Sequence, residues 1–224
     1  MSDTIRCRLA VLRLSCGLLA LLLALLLPPP CPALAEDSPQ SCLADIAQAI
    51  TQGSMADFET RVDVDGILQV VVDKLFVEAG KPENADRLPP MLSLMFSGAA
   101  MMDGGGRVRN MLRSEARAFV RNGIESGAFA GRAPDAAYQS EGLIAPLFAD
   151  ASLGRKEIHA VGQPRQLGSH VWQLPFRIHD AGNGNDYPVV GRFARQNGRI
   201  RLVAIDNLDE LFAILSAEAA ALEE

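Results

Sequence analysis

Hydrophobic residues in the first half of the chain recur at the spacing of one helix face, i, i+3, i+4, i+7. The pattern predicts helices within four consecutive segments, residues 41–53, 55–80, 89–106 and 107–127. Ser41 is the predicted N-cap of the first helix, and Gly53 is expected to end it. Asp63 or Asp65 is placed to cap the second helix, which we expect to end at Gly80.

After about residue 155 the hydrophobic period changes to two, the period of a strand. A strand near residues 156–162 is expected first. The next strand has one strongly apolar face, formed by Trp172, Leu174, Phe176 and Ile178. A closing helix is predicted from about Leu208, because the helical spacing returns there.

A hairpin joins the last two predicted strands. The Asn-Gly pair at positions 197–198 predicts a two-residue turn, because a type I′ turn needs two positive φ angles. This turn length sets the register, with Phe193 opposite Leu202 and Gly191 opposite Ala204.

The order of these elements predicts an α+β fold. N-terminal helices pack on a C-terminal antiparallel meander sheet of three to four strands, and one helix closes the chain. Such a sheet turns one face to the helices, while its other face is either solvated or lines a cavity.

The N-terminus has the parts of a secretory signal peptide. Arg6, Arg8 and Arg13 precede an apolar run without charged residues over residues 14–27, which three prolines end. A membrane-spanning helix needs about 20 apolar residues, so this run of 14 is short for a permanent span. The small-x-small triplet at residues 33–35 then supplies a cleavage site.

We therefore predict a cleaved signal peptide over residues 1–35 and a single α+β domain over residues 36–224. The protein is expected to be periplasmic or secreted, with no permanent membrane span after cleavage. An uncleaved N-terminal anchor is the alternative interpretation.

Charge and cysteine content narrow the function classes. The predicted signal peptide carries three Arg and one Asp, so the remaining chain is two charges more acidic than the −6 of the whole chain. This balance argues against nucleic-acid binding, which rests on clustered Lys and Arg. Cys42 is the one cysteine after residue 35, which excludes an internal disulfide and a CxxC site in that part of the chain.

No catalytic or metal-binding motif is present in the sequence. The histidines, His159, His170 and His179, do not have metal-ligand spacing, and no GxSxG nucleophile motif occurs. We therefore assign no catalytic residue, no metal ligand and no cofactor, and the sequence favours a protein that is not an enzyme.

Two residue groups carry competing interpretations. Five methionines, at positions 91, 95, 101, 102 and 111, suit either a mobile apolar lid or an ordinary core helix. Arg177, Arg192 and Arg201 fall on the polar sheet face, where they suit either an anion site or a solvated face paired with Asp and Glu.

Three short motifs resemble the cystatin-like cone of the nuclear-transport-factor-two-like superfamily, in particular its secreted bacterial members of unknown function. They are the residues at 56–58, the Val-Asp pair at 62–63 and the strand at 198–203. Ile200 stands where the final strand of that family usually has tryptophan. The element order, with Asp206 after the last strand, is also similar to the periplasmic phospholipid carriers of the Mla pathway, which implies a lipid chain between sheet and helices.

Two functions follow as predictions. The first is an exported binding protein that holds an apolar or lipid-like small molecule between sheet and helices, in a pocket lined by Trp172, Phe176, Phe193, Met95 and Met102. The second is a non-enzymatic envelope protein-interaction module with a filled core, which self-associates through an exposed sheet face. A hydrolase or isomerase on the same fold is a third option, which requires a polar His or Asp inside the cavity.

Overall fold

The computed structural model describes residues 37–81, 105–133 and 154–221. The helices are α1 (Pro39–Gln52), α2 (Met55–Arg61), α3 (Val64–Ala79), α4 (Gly106–Glu125) and α5 (Leu208–Ala221), with a 3₁₀ turn at Ala128–Ala130. The strands are β1 (Lys156–His159), β2 (Arg165–Gly168), β3 (Val171–Asp180), β4 (Asn185–Gln196) and β5 (Arg199–Ile205). This order confirms the predicted α+β class.

The N-cap of helix α1 lies three residues before the predicted one. Ser38 is the N-cap, and its hydroxyl accepts a hydrogen bond from the Ser41 N–H. The Ser41 side chain in turn caps the Ser38 backbone, which completes a capping box, and Pro39 occupies the first turn. Gly53 ends the helix with φ 74°, a left-handed conformation that favours glycine.

The segment of the second predicted helix, residues 55–80, contains two helices, α2 and α3. Val62 between them is extended, with φ −124° and ψ 133°, and it forms a parallel bridge with Leu202 of β5. Asp63 then caps α3 through its side chain, which accepts from the Gly66 N–H. Of the two predicted caps Asp63 is therefore the one used, while Asp65 lies in the first turn of α3.

The sheet has five antiparallel strands in the order β1-β3-β4-β5, with β2 also paired to β3. This is more than the predicted three to four, because β2 was not expected. β1 pairs with the C-terminal part of β3 and β2 with its N-terminal part, so the two short strands form one edge of the sheet. β2 is fully exposed along its length, so it lacks the alternating burial that makes a strand visible in a sequence.

The hairpin forms with the predicted turn. Asn197 and Gly198 have φ 51° and 79°, and Phe193 pairs with Leu202 as expected. Beyond that pair the register shifts, so Gly191 pairs with Ile205 instead of Ala204. One extra residue on β5 causes the shift, which is the geometry of a β-bulge.

The core lies between the helices and one face of the sheet. Alternate side chains of β3, β4 and β5 enter it, as the period of two predicts, and meet residues of α1, α3 and α4. Its buried members include Cys42, Leu43, Ile46, Ile124, Leu174, Phe176, Phe193, Ile200 and Leu202. A smaller cluster around Val72 and Leu112 joins α3 to α4.

In the described ranges, no helix combines the length and the apolar character needed to cross a bilayer. The predicted signal peptide lies outside the described residues. So do Met95 and Met102 and most of the helix predicted at residues 89–106.

Candidate functional site

The aromatic residues predicted to line a pocket lie in or against the core. Phe193 is 0% exposed and Phe176 is 4% exposed, and both belong to the main core cluster. Trp172 is partly buried and packs against the same cluster. The structure thus brings these three side chains together, in contact with other core residues.

A groove opens beside this core, between helix α1 and the edge formed by β1 and β2. We call it the edge groove. It has a volume of about 410 Å³. Its helix side consists of Gln40, Leu43, Ala44 and Ala47. Its strand side consists of Ile158, Val161, Gly162 and Gln163.

The groove exists because extra residues interrupt the edge strand. His159 pairs with Arg177, and three residues later the Gly162 N–H donates to the Pro175 oxygen. Three steps along the edge therefore match two steps along β3, which defines a bulge between β1 and Gly162. A further register shift lies within β2.

Two residues of this bulge have unusual backbone requirements. Ala160 has φ 49°, in the left-handed region that residues other than glycine rarely adopt. Gly162 approaches β3 so closely that a Cβ atom would lie 2.8 Å from Cγ of Pro175. Strained backbone of this kind recurs at functional sites, where the surrounding structure holds it in place.

One residue of β1 presents its main-chain groups to the groove side. The Ala181 N–H donates to the Arg155 oxygen, so these two residues form a hydrogen-bonded pair. From that pair onward, β1 residues that bond to β3 alternate with β1 residues whose N–H and C=O groups point away from β3. By this alternation the N–H and C=O of Ile158 point away from β3. They have no hydrogen-bond partner within the described ranges.

The described residues that line the edge groove include no charged side chain. Its polar groups are the carboxamides of Gln40 and Gln163, neither of which makes a side-chain hydrogen bond to a residue that the structure describes. Val161 is 42% exposed, which leaves an apolar side chain at the mouth. The groove therefore combines apolar surface with neutral hydrogen-bonding groups that have no partner in the described part of the chain.

A second cleft, of about 430 Å³, lies on the other side of α1 and is polar. Asp45, Asp57, Arg61 and Arg199 are among its lining residues. Arg61 is already bound, with one nitrogen 2.6 Å from the Asp45 carboxylate and the other 3.0 Å from Asp37. These pairs hold α1, α2 and the chain before α1 together, which is a structural use of the charges.

The fold also assembles a cluster that the sequence did not indicate. His159 Nε2 lies 3.1 Å and His179 Nδ1 lies 2.9 Å from Oδ1 of Asp186, on three adjacent strands. Hydrogen bonds from His179 first and then His159 hold the pKa of Asp186 below its usual range. The register of β1 on β3 is the signal that would have revealed this pairing. In the described part of the chain, no three His, Cys, Asp or Glu side chains are arranged to hold a metal ion.

The three arginines of the polar sheet face have different environments. Arg192 pairs with Asp206 at 2.7 Å, and Arg201 donates to the main-chain oxygens of Glu59 and Val62. Arg177 is exposed, and the structure gives it no ion pair among the described residues. Because each guanidinium has a different environment, these contacts do not favour a shared anion site, and Arg192 alone of the three has an acidic partner among the described residues.

Cys42 is buried in the core and forms no disulfide with a residue that the structure describes. Burial raises the pKa of its thiol to about 12, despite the opposing charge of Arg61. The thiolate is the nucleophilic form of cysteine, and the raised pKa favours the protonated thiol at neutral pH.

Comparison with family models, with curated proteins and with solved structures finds no match for this chain. The resemblance to the cystatin-like cone and the weaker likeness to the Mla carriers therefore stay predictions.

Proposed function

We propose that this chain is an exported, non-enzymatic interaction module that docks a partner protein in the edge groove. The observation that carries the proposal is the groove itself. It places uncharged apolar surface and exposed Val161 beside the main-chain groups of Ile158, which point away from β3 and have no partner among the residues that the structure describes. Protein interfaces have apolar centres with few charges, and this lining has that composition.

The packing of the inner sheet face supports this proposal over a lipid-like ligand held between sheet and helices. Phe176 and Phe193 would have to turn toward a ligand, yet they are almost completely enclosed by protein. Opening a cavity beside them would remove core contacts worth roughly 3–5 kcal/mol for one Phe side chain.

Export is the second part of the proposal, and the signal-peptide pattern of residues 1–35 supports it. The acidic balance of the remaining chain agrees with a partner that is neither nucleic acid nor an anionic lipid surface.

The test combines two measurements on the full chain expressed in an exporting host. A photoreactive amino acid is placed at Ala44, in the groove, and separately at exposed Ala118 on α4 as the matched control. We expect one discrete crosslinked protein, formed by the Ala44 variant alone and competed away by unlabelled wild type.

Native mass spectrometry of the same protein is the second measurement. We expect a mass without any bound lipid. A stoichiometric adduct of lipid mass would overturn the proposal in favour of a carrier, and the absence of any Ala44-specific crosslink would also contradict it.

A further inference from the structure

We infer that the edge groove receives an extended, uncharged segment of the partner, which lies beside β1 and inserts a small apolar side chain between β1 and α1. The inference rests on the proposed function and specifies the chemistry of its site.

The main chain of β1 supplies the first argument. An extended segment binds a sheet edge through main-chain hydrogen bonds, and its alternate side chains enter neighbouring pockets. The outward N–H and C=O of Ile158 form one such donor and acceptor pair, directly at the groove. The interior of a helical segment has no free main-chain groups to pair with them, because its N–H and C=O groups bond within the helix.

The side-chain composition of the groove supplies the second argument. Ala44 and Ala47 on α1 and Gly162 on the edge are small, so the space between helix and strand stays open. Leu43 and Ile158 add apolar surface to the lining, and Gln40 and Gln163 add neutral amides. A charged side chain inserted between α1 and β1 would lose hydration and meet no opposite charge among the described lining residues, which selects against a charge at that position.

The bulge after β1 supplies the third argument, because it limits the length of the segment. The left-handed Ala160 turns the edge out of line, so an added strand has no straight partner beyond His159. Bulges are a common device against open-ended edge pairing. The edge therefore suits one short extended segment and disfavours edge-to-edge pairing with the sheet of a second copy.

The experiment selects random linear heptapeptides, displayed on phage, for binding to the protein obtained by expressing the full chain in an exporting host. Peptides that also bind the Ala44→Trp variant, in which an indole fills the groove, are removed. Ala118→Trp is the matched control, since it adds the same side chain at an exposed helix position away from the groove. Circular dichroism checks that both variants fold, and Val161→Lys replaces Ala44→Trp if that variant does not.

We expect the selected peptides to be uncharged, with apolar side chains at alternate positions. Affinity is expected to fall by at least about tenfold, or about 1.4 kcal/mol, with Ala44→Trp and with N-methylation of the central peptide amide. Ala118→Trp is expected to leave affinity unchanged.

The inference would be overturned if no selected peptide required the open groove, or if the selected peptides shared a charged or helical consensus sequence. It would also be overturned if N-methylation of the central amide left the affinity unchanged. A wild-type dimer that Ala44→Trp converts to monomer in sedimentation would assign the groove to a second copy. If crosslinking at Ala44 captures a discrete partner while no extended peptide binds, the proposed function stands and this inference fails.

Discussion

The two edges of the sheet differ in how their outward main-chain groups are used. At the β5 edge the Ile200 N–H donates to Asp37 at 2.7 Å, and the Ile200 oxygen accepts from Arg61. The Leu202 oxygen accepts from the Asp63 N–H at 2.9 Å. At the β1 edge, by contrast, the corresponding groups of Ile158 have no partner in the described ranges.

This difference separates two ways of protecting a sheet edge. The β5 edge is covered by segments that are distant in sequence, which adds stability as well as protection. The β1–β2 edge is instead interrupted by extra residues, which prevents long pairing but leaves a short gap beside α1. The comparison therefore predicts that β5-edge substitutions change stability, whereas groove substitutions change binding.

The largest expected effect is at Asp37, whose carboxylate holds the Ile200 N–H and lies 3.0 Å from Arg61. Asp37→Ala leaves that N–H unsatisfied and is expected to lower the free energy of unfolding by about 2–3 kcal/mol, measured in urea. Glu125→Ala, at an exposed carboxylate on α4, is the control and should change stability by less than about 0.5 kcal/mol. Equal losses of stability in both variants would contradict the prediction that the contacts covering the β5 edge stabilise the fold more than an exposed carboxylate does.

A smaller loss is expected at Asn207, which covers β4 where β5 has ended. Its side chain accepts from the Val190 N–H at 2.8 Å and donates to the Pro188 oxygen at 2.9 Å. Asn207→Ala removes both hydrogen bonds and should cost about 1–2 kcal/mol in chemical denaturation. Hydrogen exchange of the Val190 amide should accelerate in this variant; unchanged protection would show that another group covers this part of β4.

At the interrupted edge, Ala160 tests how much strain the bulge holds. Ala160→Val adds a β-branched side chain at a positive φ and should destabilise by roughly 1 kcal/mol. Ala160→Gly is the matched control, in which relief of strain and the greater freedom of the unfolded chain offset each other within about 0.5 kcal/mol. Thermal unfolding measures the stability of both variants. Unchanged stability in Ala160→Val would mean that the bulge adjusts to the larger side chain without strain.

The smallest effect concerns Asp186 and depends on pH. Its pKa is lowered in the folded state, so its bonds to His179 and His159 stabilise the fold above its unfolded pKa of about 3.9. That contribution is lost as pH falls through the lower, folded pKa. Wild type should therefore exceed Asp186→Asn in stability at neutral pH, and the two should converge in acid. Urea denaturation at several pH values measures the free energy of unfolding of both proteins. A difference between wild type and Asp186→Asn that stays constant from neutral to acidic pH would contradict this prediction.

The parts of the fold that the sequence predicted depend on local signals. The period of two between Trp172 and Ile178 identified the buried face of β3, and the Asn-Gly pair at 197–198 identified the hairpin. Both succeed because side-chain direction and turn geometry are decided within a few residues. The N-cap of α1 was misplaced by three residues, since Ser38 and Ser41 are equally good caps as single residues.

The parts that were missed depend on register and on contacts between distant segments. Strand β2 has no buried alternation, and the edge groove arises from one extra residue near Ala160. The cluster of His159, His179 and Asp186 forms through the pairing of three strands, so no spacing along the chain reveals it.

The sequence by itself determined the α+β class, the inner face of the sheet and the hairpin, because periodicity and turn chemistry act over a few residues. Tertiary structure alone decided which edge of the sheet is covered and where a groove remains open. Coverage of the β5 edge requires Asp37, Arg61 and Asp63 to meet residues more than a hundred positions away. Such contacts depend on how the packed helices meet the sheet, which no local pattern encodes.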